Sequence, residues 1–150
     1  MISLILMASA AQASFDCQLE APKAIGFDGE KVTASTIGLP PATLAFALTI
    51  SDGNPKQATI TWAEDPMKMA GTFPAIETAP NSYAFSSFSG GPCMFTEKAC
   101  LTQFNLVGAR DGSAFLVVTP VALTRDQKSG GREPFAVLAR GVCQRRSAGK

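Results

Sequence analysis

Histidine is absent from this chain of 150 residues. That absence excludes the Ser-His and Cys-His nucleophile pairs, a histidine general base and every metal site built on imidazole. Tryptophan and tyrosine occur once each, as Trp62 and Tyr83, beside ten phenylalanines. Aromatic rings with a polar handle are therefore scarce, and an aromatic platform for single-stranded nucleic acid has little to be built from. Charged residues are only 17 % of the chain and the net charge is +1, so no global field draws in nucleic acid or membrane. No apolar run approaches the ~20 residues that span a bilayer as a helix. There is no Cys-x-x-Cys, no glycine-rich phosphate loop and no calcium-loop spacing of aspartates. Intrinsic disorder is also excluded, because apolar residues make up 46 % of the sequence.

The N-terminus carries an export pattern. Residues 2–8 form a short apolar run, followed by small residues ending in Ala11-Gln12-Ala13. That small-x-small triplet predicts signal-peptidase cleavage after Ala13, with Ser14 first in the mature chain, although no Lys or Arg precedes the apolar run. Phe15-Asp16-Cys17 lacks the small residues that precede an acylated cysteine. The expected organisation is a signal peptide over 1–13, one β domain over 14–143 and a disordered basic tail over 144–150. The product would be periplasmic or extracellular and would not span the membrane after cleavage.

Four cysteines, at 17, 93, 100 and 143, fit two disulfides in an exported chain. Cys93 and Cys100 flank a short segment next to Gly90-Gly91-Pro92, where the chain can turn sharply. Cys17 and Cys143 share the parity of the apolar positions in their own segments. The expected pairs are therefore Cys93–Cys100 and Cys17–Cys143.

Period-two alternation dominates the rest. Leu44, Phe46, Leu48 and Ile50 face one way, with Ala and Thr on the other side. Ala58, Ile60 and Trp62 repeat the pattern after a turn at Ser51–Pro55. Asp28-Gly29 and Asp111-Gly112 mark two further tight hairpins. Pro120 interrupts an apolar strand and predicts an edge or a bulge there. No convincing 3.6-residue period appears after the leader. These signals predict an all-β, single antiparallel domain of eight or nine short strands, either an up-and-down barrel or a sandwich, with two disulfides. The expected core is Leu44, Phe46, Leu48, Ile50, Ile60, Trp62, Phe104, Leu106, Phe115, Val117, Phe135 and Val137.

Charge is unevenly spread. Residues 1–109 hold five Lys/Arg against nine Asp/Glu, and residues 110–150 hold eight against three. Such asymmetry can mark an anionic partner, such as an envelope component or an acidic protein surface. Two loops carry the candidate contacts: Thr124–Glu133, with Arg125, Lys128 and Arg132, and the segment after Trp62, with Glu64. The favoured function is a non-catalytic exported binding or inhibitory module using these charged loops, with no cofactor, no metal and no nucleic acid. The rival is a histidine-free hydrolase acting on a cell-envelope polymer through two of Glu64, Asp65, Glu77 and Glu97. That chemistry needs two carboxyl groups about 5–9.5 Å apart in one cleft. Ser129 beside Lys128 is a weaker nucleophile candidate, since sequence neighbours rarely form such a dyad.

Overall fold

A computed structural model describes residues 12–28, 30–65, 69–89, 100–120, 123–126 and 132–147. The strands are β1 (Gln12–Leu19), β2 (Lys23–Asp28), β3 (Lys31–Thr36), β4 (Ala45–Ser51), β5 (Lys56–Thr61) and β6 (Gly71–Ala79). They continue as β7 (Ser82–Ser89), β8 (Cys100–Gly108), β9 (Ser113–Pro120), β10 (Leu123–Asp126) and β11 (Arg132–Arg145). A 3₁₀ turn, Pro41–Leu44, leads into β4, started by the fixed φ of Pro41.

Eight of these strands close a barrel in the order β1-β4-β5-β6-β7-β8-β9-β11, and β1 pairs back onto β11. All pairings are antiparallel. The question the sequence left open, barrel or sandwich, is thus answered by closure of the first strand onto the last. Cys17 lies directly opposite Cys143 in that closing ladder, and the two form the expected disulfide. The second expected disulfide, Cys93–Cys100, lies outside the described residues and side chains, as do the leader before Gln12 and the side chain of Phe135.

The strand count exceeds the expected eight or nine because β11 is long and serves two sheets. Its second half belongs to the barrel. Its first half pairs with β2 on one side and β10 on the other, and β3 adds to β2. Along β11, β1 and β2 are nearly one strand. Leu19 faces Gly141 and Lys23 faces Leu138, so four steps on one side answer three on the other. The extra residue is a bulge at the barrel's edge, next to Pro22. The same slip occurs between β9 and β10: Val118 faces Ala139 and Leu123 faces Phe135, five steps against four. This is the irregularity that Pro120 signals. The segment Thr124–Glu133, expected to be a loop, instead has strand at both ends, in β10 and the start of β11.

The barrel interior is a packed core. Leu48, Phe104, Leu106 and Leu116 are essentially fully buried, with Phe15, Phe46, Ile50 and Ile60 around them. Phe85 and Phe104 stack with ring centroids 4.8 Å apart. Two expected core residues are misplaced: Phe115 and Val117 face outward, 61 % and 37 % exposed, while Ala114, Leu116 and Val118 face inward. The cause is that Ala114–Val118 is apolar on both faces, so its own sequence carries no face signal. The neighbours decide. Leu116 pairs with buried Leu106 and Ala114 with buried Cys143, and the pleat then turns Phe115 out.

Candidate functional site

Antiparallel closure sorts the loops onto two rims. One rim collects the β4–β5, β6–β7 and β8–β9 turns, the start of β1 and the end of β11. We call it the upper rim. The end of β5, the start of β6, β10 and the start of β11 lie at the opposite, lower rim.

Of the residues proposed from sequence for binding, Trp62, Glu64, Arg125 and Arg132 belong to the lower rim, but they do not form one cluster. Trp62 is buried. Its ring lies 4.7 Å from Phe46, and its indole N–H donates to the Thr43 carbonyl at 3.1 Å, closing that end of the core. Its one polar group is thus already used. Glu64 is exposed two residues further on. Arg125 stands on β10 in register with Glu133, and Arg132 stands on β11 in register with Asp126. Lys128, between them in sequence, lies outside the described residues. Three strands separate β5 from β9 around the ring in one direction, so Glu64 and the arginine hairpin occupy different sides of the same end.

The carboxylate test separates the candidates as clearly. Glu64 and Asp65 are at the lower rim, whereas Glu77 ends β6 at the upper rim. Glu97 lies outside the described residues. Asp65 is committed locally: its Oδ2 accepts from the Ala70 N–H at 2.7 Å, while its enclosed Oδ1 has no partner among the described residues. Glu77 is thus separated from Glu64 and Asp65 by the length of the barrel. Among the described residues, no group of three acids or cysteines gathers closely enough to hold a metal.

The denser charged constellation is at the upper rim, and sequence reasoning missed it. Lys56 Nζ lies 2.6 Å from Asp52 Oδ1 and 3.5 Å from Glu77 Oε2. The Asp52 hydrogen bond raises the lysine pKa further above its ordinary range, so Lys56 stays a cation and is no nucleophile. Tyr83 is buried at the start of β7. Burial, then the nearby Glu77 charge, raises its phenol pKa, so it stays protonated at neutral pH. Arg145, at the end of β11, borders three adjoining depressions of about 650, 250 and 200 Å³. Just beyond it, Arg146 grips Asp16 with Nε 2.9 Å from both carboxylate oxygens, which lowers the Asp16 pKa. Strand β11 thus continues past the expected boundary at Cys143, and Arg146 is tied to β1. Asp52 and Lys56 could have been found as opposite charges flanking one turn. Glu77 could not, because it reaches Lys56 only through the β5–β6 register, in which Lys56 faces Ala75, two residues away.

Taken together, the geometry defines a filled, disulfide-clamped antiparallel barrel with charged rims and no assembled reactive group in the described residues. The sequence matches no protein-family model and no curated protein. Among solved structures, it is similar to a Transferrin Binding Protein B mutant from Haemophilus parasuis Hp5, a vaccine antigen, with a TM-score of 0.44 and 6 % identity. The similarity covers 94 % of this chain and 27 % of that one, so the chain spans about a quarter of that protein's length.

Proposed function

We propose that this chain is a non-catalytic, exported binding or inhibitory module that meets its partner through charged loops. The observation that carries this reading is the filled barrel. Small barrels either fill their interior with side chains or keep a chamber for one ligand. Here Leu48, Phe104, Leu106 and Leu116 occupy the centre, so recognition falls to the rims and outer wall. At the upper rim Lys56 is paired with Asp52 and Glu77, and Arg146 with Asp16, which fixes these groups as charges rather than as acids, bases or nucleophiles. Export is supported by the Cys17–Cys143 disulfide, which persists in oxidising compartments.

Arg125, Lys128 and Arg132 are the proposed contacts, with Glu64 and Trp62 as secondary candidates on another side of the same barrel end, and the partner is an anionic envelope component or an acidic protein surface. Capture from the exporting cell's envelope, comparing the parent with Arg125→Glu/Lys128→Glu/Arg132→Glu, tests this. The parent should retain a partner that elutes with salt, because exposed charges are screened over about 8 Å at physiological ionic strength. A triple variant that captures every partner of the parent overturns the basic-loop reading. Export is tested separately by intact mass, which should begin at Ser14 with two disulfides formed. Cytoplasmic protein retaining Met1 and four free thiols would refute it.

A further inference from the structure

The outer wall of the barrel is not uniform. On β4 and β5 the outward residues are small or polar: Ala45, Thr49, Gln57, Thr59 and Thr61. On β8, β9 and β11 they include several large apolar side chains among polar ones. Phe115 lies between Val107 and Val142 in one cross-strand row, and these three are 61 %, 54 % and 41 % exposed. In the next row on the same face, Val117 lies between Asn105 and Arg140. Single exposed apolar residues are ordinary, but contiguous ones mark an interaction surface.

Two further observations say what covers it. First, Ala114–Val118 reads as a continuous apolar run, the pattern of a strand covered on both faces, yet its outer face is bare among the described residues. Second, the patch ends at an ion pair of both signs. Arg140 Nε lies 2.6 Å from Glu20 Oε2, and both side chains are well exposed. A partner of one charge sign would be attracted by one of these and repelled by the other. A second copy rotated by a two-fold axis brings both signs to the same edge, as an isologous contact requires. The chain's net charge of +1 sets no repulsion against such pairing.

We propose that the outer face of β8, β9 and β11, centred on Phe115 and Val117, is the self-association surface of a two-fold dimer. The inference is independent of the rim-binding reading. Sheets of two copies would pack face to face at about 10 Å, with the apolar rows inside and the Arg140–Glu20 edges at the margin.

Sedimentation from low micromolar to near millimolar concentration tests it. The parent should show a monomer–dimer equilibrium. Phe115→Glu should weaken the dimer by about 30-fold or more, the loss expected for a central aromatic anchor. At concentrations where both are monomeric it should keep the parent's circular dichroism and melting temperature, since the side chain is exposed in the monomer. Ile76→Glu, an exposed apolar position on β6, should leave the dimer intact. Arg140→Glu should weaken association, and the exchange Glu20→Arg/Arg140→Glu should restore it, which a partner of fixed charge sign would not allow. A parent that stays monomeric overturns the proposal, as does a Phe115→Glu variant that stays dimeric. A monomer that binds phospholipid vesicles through Phe115 also overturns it and assigns the patch to a lipid surface.

Discussion

Cutting the Cys17–Cys143 bond should cost this fold as much as truncating a large core side chain. The two cysteines are 126 residues apart in sequence, so the bond closes nearly the whole described chain into one loop. In the chain-entropy description, a closed loop of that length removes about 5 kcal/mol of denatured-state freedom. The bond also sits where the barrel closes, with Cys17 opposite Cys143 between β1 and β11. Without it, closure rests on the β1–β11 ladder, the packing of Phe15 and Leu19, and the Asp16–Arg146 pair. The double variant Cys17→Ala/Cys143→Ala isolates the bond from any other disulfide. Urea unfolding followed by Trp62 fluorescence is the assay. The expected result is a loss of about 3–5 kcal/mol together with a larger m-value, because the unlinked chain exposes more surface when unfolded. A loss below about 1 kcal/mol, with m unchanged, would refute the reasoning that the bond acts mainly on the unfolded chain.

Three further outcomes are expected. Phe46→Ala should cost about 3–5 kcal/mol and shift the fluorescence of Trp62 to the red, because Phe46 is buried against that ring; unchanged stability in urea would mean it is not a core residue. Gly141→Ala should cost about 1–3 kcal/mol, because a methyl there overlaps the Gln18 carbonyl oxygen and crowds Leu19 on β1, and a neutral effect in thermal melts would argue against the tight β1–β11 approach. Acid should destabilise the fold through Asp16 and Asp111, whose folded pKa values are lowered by Arg146 and Ser113: their contribution is present above the ordinary aspartate pKa and is lost as pH falls below about 4 through the depressed values, so Asp16→Asn should flatten the melting temperature across that range.

The strands that sequence alone located correctly are those with one buried face. In β4, Phe46, Leu48 and Ile50 alternate with Ala and Thr, and the barrel buries the apolar set. Turn chemistry was equally direct. Asp111-Gly112 joins β8 to β9, with Gly112 at a φ of 86° that favours glycine. The Asp111 side chain accepts from the Ser113 N–H at 3.0 Å, which completes the turn. Cysteine parity found the 17–143 bond because a two-residue period fixes the face of each cysteine once its strand is known. Strand β9 was misread for the converse reason. A strand apolar on both faces has no alternation to read, and its facing is set by β8 and β11, far away in sequence. Strand β6 was missed because Pro74 and scattered Thr hide its period, and its pairing with β5 supplies what its own residues do not.

The charged rim was less legible than the core, and the difference is physical. Burial leaves a periodic trace because every second residue must be apolar. A surface ion pair requires only that two long side chains meet, and the register that brings them together is fixed by core residues on the opposite face of the strands. Lys56 meets Glu77 because Ile60 and Ala58 hold β5 against β6, not because of any pattern linking positions 56 and 77. Arg146 meets Asp16 across 130 residues because the barrel closes there. Both pairs are exposed, so each contributes little to stability. Their effect is instead to fix the sign and position of charge around the upper rim. Arg145 and Arg110 differ from Lys56 and Arg146 in this respect. Among the described residues no carboxylate lies within 4.0 Å of either; Arg145 borders the three depressions named above, and Arg110 lines the smallest of them. Beside cations already neutralised by Asp52, Glu77 and Asp16, these two arginines carry the positive charge on this rim that no acid among the described residues takes up.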